Sequence, residues 1–317
     1  MSYAEYINSV LKGMVASHDG LVIYGQNVTE GSRIGGLTRG LDKLVKGSSK
    51  IVNTTNTENS LVGFGFGVML GGGTAAFFMK QLDFLFLGID QLVNTYNIIR
   101  NGGHANGSFT ILPTVVDVAN QGPHSSSNNF ADFCSMARIP GFTITNKYDA
   151  EKVLFTHFAA PGFRIIGASH RLLKEEIIDP GIPVFADKDV KFVQYKDGHD
   201  ATIVCFNFSF PYGWRLSMEL EKIGKKSSIF NVNYMTPIDW APILASVKKT
   251  GKLVVIDDSN SENLSCFSLV AEARKMNPKK DIVITSKPVD NWFSPVSSVA
   301  DVDYEKIARE LSNDTKK

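Results

Sequence analysis

The sequence is poor in cysteine and carries almost no excess charge. Its 317 residues include only three cysteines, and 33 lysines and arginines nearly balance 32 aspartates and glutamates. Cys134, Cys205 and Cys266 are too widely spaced for a metal-binding pair or a disulfide framework, which favours a reducing cytoplasm. Balanced charge provides no field to attract nucleic acid or an anionic membrane, so we expect neither as a partner.

Segments for targeting or for crossing a membrane are not predicted either. The first residues, MSYAEYINSVLKG, read as an amphipathic helix without the basic start and apolar run of a signal peptide. The most apolar stretch, residues 61–79, contains six glycines and fits a buried helix followed by a strand better than a membrane span. We therefore expect a cytoplasmic protein.

The motifs of several self-contained enzymes are also missing. The chain has no P-loop, no G-x-G-x-x-G after its first strand, no H-E-x-x-H and no C-x-x-C. Ser60 and the serines at 125–127 lack the sharp strand-to-helix turn that exposes a hydrolase nucleophile. The residues alone therefore support none of the mechanisms that these motifs serve.

What is present is an alternation of short apolar segments with helical ones. Apolar runs such as 21–28 and 109–118 predict buried strands, and a helix is predicted from Phe84 to Arg100. This order predicts an α/β fold with a doubly wound, mostly parallel sheet and then a smaller three-layer α/β domain. We predict the first domain at 1–180, a Pro-containing charged linker at 181–198 and the second domain at 199–317.

Glu58 lies between a predicted strand at 51–55 and an unusually apolar helix that we expect to end near Leu70. An acid in this position is commonly a helix-start residue, stabilised by the helix dipole, with Thr57 as the cap. The alternative is a carboxylate in an apolar pocket that exchanges protons with a bound ring. The residues themselves leave both interpretations open.

A resemblance to a known family runs through nearly the whole chain. The segment starting at residue 51, IVNTTNTENSLVGFGFGVMLGG, resembles the I-x-D-T-P-I-S/A-E-x-x-x-x-G-x-A-x-G-x-A-x-x-G stretch in β-chains of 2-oxo-acid dehydrogenase decarboxylating components. Other segments of this chain also resemble segments of the same family, and they follow one another in the same order. They are YGQNV (24–28), TRGL (38–41), LDFLF (82–86) with IDQLVN (89–94), HDATIVCFN (199–207) and residues 235–258. The C-terminal half of transketolase has the same layout. The resemblance implies a thiamine diphosphate pyrimidine-binding fold followed by a transketolase C-terminal-like domain.

This resemblance implies roles in cofactor binding for three residues. In the family, a glutamate at the position of Glu58 hydrogen-bonds the aminopyrimidine ring of thiamine diphosphate and so promotes loss of the proton from its thiazolium C2. Phe84 matches the aromatic residue that stacks on the pyrimidine, the alternative being an ordinary core aromatic. Gln26, which with Asn27 replaces the family's Glu-Asp, is expected to hydrogen-bond the pyrimidine amine.

Histidines are candidates for contact with the substrate. His124, in GPHSSS, resembles a family histidine that faces the reacting carbon and donates a proton or hydrogen bond. The alternative is a surface loop histidine, and His104 in NGGHANG is a second candidate. His170 stands where the family carries an acidic segment, and we do not expect it to be catalytic.

The absence of a G-D-G…N-N motif implies a second chain. In the family this motif supplies the oxygen ligands of the metal that anchors the diphosphate. The resemblance therefore implies an α-type partner that holds Mg²⁺ and the diphosphate in an α2β2 heterotetramer, with no metal site in this chain. It implies decarboxylation of a 2-oxo acid and transfer of the remaining unit, with a lipoyl-bearing acyltransferase as a candidate further partner. Split transketolase-type ketol transfer, a carboligase and a non-catalytic paralogue remain as alternatives.

Overall fold

Six strands form a sheet in the N-terminal half of the chain. The computed structural model describes residues 1–103, 106–118, 128–235, 237–261, 263–286 and 299–313. The strands are β1 (Leu21–Gly25), β2 (Lys50–Asn53), β3 (Thr74–Met79), β4 (Ser108–Val115), β5 (Gly141–Ile144) and β6 (Gly162–Ser169). They lie in the order β2-β1-β3-β4-β6-β5, and every pairing is parallel. The predicted doubly wound, mostly parallel sheet is therefore confirmed.

Helices cover both faces of this sheet. They are α1 (Tyr3–Ser17), α2 (Glu58–Leu70), α3 (Tyr96–Gly102), α4 (Phe130–Ala137) and α5 (Lys147–His157). Alternate side chains of β3 point to opposite faces, as strand geometry requires. Phe78 packs in the cluster that contains α1 and α5, whereas Phe77 packs in the cluster that contains α2 and α4. Within the described ranges, no helix is long and apolar enough to cross a membrane.

The segment after β3 differs from the single helix predicted there. A 3₁₀ turn covers Leu82–Gly88, a π-helical turn covers Gln91–Thr95, and only then does α3 begin. The buried residues Leu82 and Leu85 are three apart, which matches the 3₁₀ repeat. A side chain on Gly88 would come within 2.9 Å of Val62 Cγ2, so this turn packs directly against α2.

A second six-stranded sheet forms the C-terminal half. Its strands are β7 (Phe185–Ala186), β8 (Phe192–Lys196), β9 (Ala201–Phe206), β10 (Ser227–Val232), β11 (Lys252–Asp257) and β12 (Lys280–Thr285), in the order β12-β11-β9-β10-β8-β7. Its helices are α6 (Phe210–Lys222), α7 (Ala241–Thr250), α8 (Phe267–Arg274) and α9 (Tyr304–Ser312). The predicted linker at 181–198 contributes β7 and β8, so most of it belongs to this domain. Its single proline, Pro183, and its charges obscured the buried Phe192, Val193 and Tyr195.

Buried polar contacts join the two halves. Asp149 on α5 is fully buried and accepts hydrogen bonds from Tyr195 Oη (2.7 Å), Asn233 Nδ2 (2.9 Å) and Asn231 Nδ2 (3.0 Å) of the C-terminal half. Burial raises the pKa of Asp149, and the hydrogen bonds from Tyr195 and Asn233 oppose the rise. Because each donor reaches a specific oxygen, this cluster defines how the two sheets are oriented toward each other.

Candidate active site

The carboxyl ends of β1, β2 and β3 form the edge where the predicted residues meet. The chain passes from β1 to the edge strand β2 and then returns on the other side of β1 as β3. Connections that diverge in this way leave a crevice at the carboxyl edge of a parallel sheet. One depression in this crevice is lined by Gln26 after β1, by Thr55, Asn56 and Glu58 after β2, and by Lys80 and Phe84 after β3.

Two local features bring the loops after β1 and β2 together. Gly25 has a φ of +148°, and a Cβ there would lie 2.1 Å from the carbonyl oxygen of Phe78, so only glycine lets β1 approach β3 this closely. The Asn53 side chain accepts hydrogen bonds from the backbone N–H groups of Val28 (2.8 Å) and Thr29 (3.0 Å). Asn53 thereby ties the loop that carries Gln26 to the end of β2.

Glu58 is the first residue of α2 and is half-buried. The side chain of Thr57 makes no capping hydrogen bond and therefore does not cap α2. The interpretation of Glu58 as an ordinary helix-start acid had assumed that cap. No residue in the described ranges forms a hydrogen bond or ion pair with the Glu58 carboxylate. The carboxylate is thus available to a ligand in the depression, and the first turn of α2 favours its negative charge.

Phe84 and Gln26 lie in the same depression as Glu58. Phe84 is half-buried and packs against the core cluster that contains α2. The depression therefore combines a carboxylate, a primary amide and an aromatic ring within one concave surface. Such a set can bind a flat heterocycle that carries an amine and a ring nitrogen, with the ring stacked on the aromatic face.

The depression forms only one side of a binding site. It encloses about 10 Å³, roughly the space for one water molecule. A heterocycle held here must therefore extend beyond the surface of this chain. Another molecular surface has to cover it if water is to be excluded.

An apolar surface lies beside the depression on the outer face of α2. Phe64 is 50% exposed and Val52 on the edge strand is 48% exposed. Together with Tyr24 and Leu61 they line a groove of about 330 Å³. Residues on the solvent face of a helix are ordinarily polar, so an apolar outer face indicates a surface that another chain covers.

The glycines of α2 separate into an inner and an outer set. A Cβ on Gly65 would lie 2.2 Å from the ring of Phe109, so internal packing requires this glycine. A Cβ on Gly67, which is exposed, would meet nothing within 4 Å. An exposed glycine inside a helix costs about 0.8–1.0 kcal/mol relative to alanine. Packing in the described part of the chain gives no reason for Gly67, whereas close approach of a second chain would.

Of the candidate histidines, only His170 lies within the described residues. His124 and His104 lie outside the described residues. His170 follows β6 and is half-buried, and its backbone N–H donates to Val115 O at 2.9 Å. Burial lowers the pKa of His170, with nearby Asp117 opposing the shift. His170 is not among the residues that line the depression around Glu58.

Comparisons with known proteins bear on this geometry. No family model matches the chain. The pyruvate dehydrogenase E1 component subunit beta of Staphylococcus aureus is 24% identical over 283 residues, covering 86% of this chain and 84% of that protein. The subunit of the same name from Rhizobium meliloti is 24% identical over 263 residues, covering 81% of this chain and 56% of that protein.

A solved structure shows the fold. A split gene transketolase, described as an inactive beta4 tetramer, matches with a TM-score of 0.69 and 13% identity over 98% of both chains. This chain has a transketolase-like fold. The resemblance to dehydrogenase β-chains and to transketolase that the sequence motifs indicate is therefore confirmed.

Two features of the transketolase-like chain were not found from its sequence. Lys80 lines the depression and is exposed, and its position directly after an apolar strand is the signal that could have identified it. The outer apolar face of α2 is the second feature. It was visible in the sequence as a helix with apolar residues on all sides, which we attributed to burial within the chain.

Proposed function

We propose that this chain is the β-type subunit of a two-chain thiamine-diphosphate-dependent enzyme that cleaves a C–C bond next to a carbonyl. The observation that carries the proposal is the single depression that Gln26, Glu58 and Phe84 line at the carboxyl edge of the sheet. The similarity to pyruvate dehydrogenase E1 β subunits over 86% of the chain supports it. Three free, buried cysteines agree with a reducing cytoplasmic location.

The lining of the depression fits the pyrimidine end of thiamine diphosphate. When bound, this cofactor supplies an acidic carbon and an electron sink for carbonyl chemistry. Glu58 would hydrogen-bond the pyrimidine ring nitrogen and exchange a proton with it, since its carboxylate has no competing partner among the described residues. Gln26 accepts a hydrogen bond from the ring amine, and Phe84 holds the ring plane by stacking. His124 then donates to the substrate oxygen.

The partner in this proposal is an α-type chain that holds the diphosphate and Mg²⁺. Among the described residues, no group of three or more His, Cys, Asp and Glu side chains is arranged to hold a metal ion. The shallow depression and the apolar outer face of α2 adjoin each other, so one partner surface can cover both. We propose a heterotetramer with two chains of each type.

Gly67→Leu is expected to weaken association with the α-type chain without unfolding this chain. A leucine there has free space in the isolated chain and a higher helix propensity than glycine, so thermal stability is retained. In the complex its side chain would separate the two surfaces. Sedimentation velocity of mixtures with the α-type chain measures the assembly.

Gly13→Leu is the matched control for this variant. Gly13 is also exposed within a helix, α1, and its Cβ would likewise meet nothing within 4 Å. The Gly13→Leu variant should assemble with the α-type chain as the wild type does. Wild-type assembly by Gly67→Leu would show that the outer face of α2 is not the contact.

A split transketolase-type enzyme is the second candidate function. The match to a split gene transketolase over 98% of both chains favours it. The two reactions differ in their donors, since one releases CO₂ from a 2-oxo acid and the other transfers a ketol unit from a sugar. A lipoyl-bearing acyltransferase is a partner only in the first case.

The proposed function is tested by co-expression with an α-type chain that carries the G-D-G motif. Exchange of the cofactor C2 proton in deuterated water is followed by NMR after acid quench. We expect exchange faster than that of free thiamine diphosphate, followed by turnover of either a 2-oxo acid or a ketose. Exchange at the rate of the free cofactor would support a non-catalytic paralogue instead.

A further inference from the structure

A polar cleft of about 520 Å³ lies beside α1. Its walls come from three parts of the N-terminal domain: α1 itself, the turn at 33–40 between β1 and β2, and the turn at 170–174 that follows β6. The cleft shares no lining residue with the depression around Glu58. A ligand of the cleft can therefore be studied separately from the proposed reaction.

Hydrogen bonds fix both turns to α1. Asn8 is buried, and its Nδ2 donates to the backbone oxygens of Leu37 at 2.8 Å and Arg39 at 3.0 Å. On the other side of the cleft, the backbone N–H of Ala4 donates to Leu173 O at 3.2 Å. The walls of the cleft are therefore held in place by contacts within this chain, and a ligand would find them already formed.

The turn at 33–40 has a backbone conformation that most residues avoid. Arg33, Ile34, Gly35 and Gly36 follow one another with φ of +46°, +45°, +63° and +102°. A β-branched residue such as Ile34 is an outlier in this left-handed region. Ile34 is buried, so packing holds the conformation in place. Strain of this kind is concentrated at sites that bind ligands, which is consistent with a ligand in the cleft.

Three cationic side chains line the cleft, namely Lys12 from α1, Arg39 from the first turn and Lys174 from the second. In the part of the chain that the structure describes, these side chains form neither a hydrogen bond nor an ion pair. A Cβ on Gly40 would lie 3.7 Å from Lys12 Nζ, and one on Gly36 would lie 4.0 Å from Arg39 Nη2, so both charges lie along the same turn. Like charges gathered in this way repel each other, and a bound anion would relieve the repulsion.

Glu5 is the carboxylate among the lining residues, and its charge is already engaged. The backbone N–H of Ser2 donates to Glu5 Oε2 at 2.9 Å in the capping box of α1. This bond lowers the pKa of Glu5, and Arg39 adds to the shift. The backbone N–H groups of Tyr3 and Ala4 are also occupied, because they donate to backbone oxygens of the segment after β6. Binding of an anion therefore depends on the three cationic side chains and not on the start of the helix.

We propose that this cleft binds a small molecule that carries at least two negative charges on phosphate or carboxylate groups. Lysine and arginine bind such groups through charge-assisted hydrogen bonds. The volume of about 520 Å³ falls within the range of small-molecule sites, roughly 300–1,000 Å³. The bound molecule would contact the connection between β1 and β2 that also carries Gln26.

Isothermal titration calorimetry of the full chain with pyrophosphate and, separately, with citrate measures this binding. We expect one-to-one binding of at least one of the two anions, and a preference between them identifies phosphate or carboxylate as the group recognised. Lys12→Gln and Arg39→Gln are each expected to weaken binding by about tenfold, because each removes one charge-assisted hydrogen bond. If the folded wild type binds neither anion at millimolar concentrations, the proposal is wrong.

Lys248→Gln is the matched control for the loss of one positive charge. Lys248 also lies on a helix, α7, and within the described ranges it forms no ion pair. This variant should bind the anion as the wild type does. An equal loss of affinity in Lys248→Gln and in the two cleft variants would show attraction by overall charge, and would overturn the proposal.

Hydrogen–deuterium exchange locates the anion without any substitution, so it also decides if a cleft variant does not fold. We expect the bound anion to slow amide exchange in peptides that cover 33–41, because it stabilises the turn that carries Arg39. Binding that leaves exchange in these peptides unchanged would place the anion elsewhere on the chain and would contradict the proposed site.

Discussion

Replacing Glu58 with glutamine is expected to slow C2 proton exchange in the assembled enzyme by about 100- to 10,000-fold. Glutamine keeps the size of the side chain and can still hydrogen-bond the pyrimidine, but it cannot take up or return a proton. Glu58 has no hydrogen-bond or ion-pair partner among the described residues, so the substitution breaks no contact within the described part of the chain. The rate is measured by NMR after rapid quench, with cofactor binding measured in parallel.

Glu30→Gln is a suitable control for the loss of one carboxylate near this edge. Glu30 lies on the loop after β1, where its carboxylate accepts from Asn53 Nδ2 at 2.9 Å, and it does not line the depression. We expect its exchange rate to stay close to that of the wild type. Equal rates for the Glu58 variant and the wild type would remove Glu58 from the mechanism.

Arg164→Met is expected to lower the free energy of unfolding by about 2–4 kcal/mol. Arg164 on β6 is 5% exposed, and no carboxylate in the described ranges pairs with it. Its guanidinium donates to Ser108 Oγ (3.0 Å), His157 O (2.9 Å) and Pro161 O (2.6 Å). Methionine fills much of the space but removes these three hydrogen bonds, and the buried hydroxyl oxygen of Ser108 loses its guanidinium donor.

Urea unfolding followed by circular dichroism measures this loss. Burial lowers the pKa of Arg164 to about 10, so the side chain is still charged at neutral pH. Arg309→Met serves as the control, because Arg309 is exposed on α9 and its one ion-pair partner in the described part of the chain is the exposed Glu305. The two variants are compared by the urea concentration at the midpoint of unfolding. If Arg164→Met has a midpoint as high as that of the control, the guanidinium does not hold β4, β6 and the end of α5 together.

The local features of the candidate site could be predicted from the sequence. The strand, the acid and the apolar helix follow one another within residues 51–70, and α2 begins at Glu58 and ends at Leu70 as expected. Short-range patterning is sufficient for such a unit, because the strand and the helix have different hydrophobic periods. The parallel order of the first sheet followed from the alternation of these units.

Features that depend on distant residues could not be predicted in this way. The 3₁₀ and π turns at 82–95 arise from packing against α2, and no local pattern specifies that contact. β8 exists because it pairs with β10, more than thirty residues further along the chain, and β7 in turn pairs with β8. Arg171, Asn128 and Asp258 come together only after both domains have folded, and Asn128 and Asp258 are separated by 130 residues.

Cofactor binding by the separate and mixed chains tests the central claim most directly. Titration calorimetry with thiamine diphosphate and Mg²⁺ is performed on this chain alone, on the α-type chain alone and on the equimolar mixture. Because the depression around Glu58 encloses only about 10 Å³, we expect tight binding in the mixture and weak binding by this chain alone. Tight one-to-one binding by the isolated chain would contradict a site that two chains share.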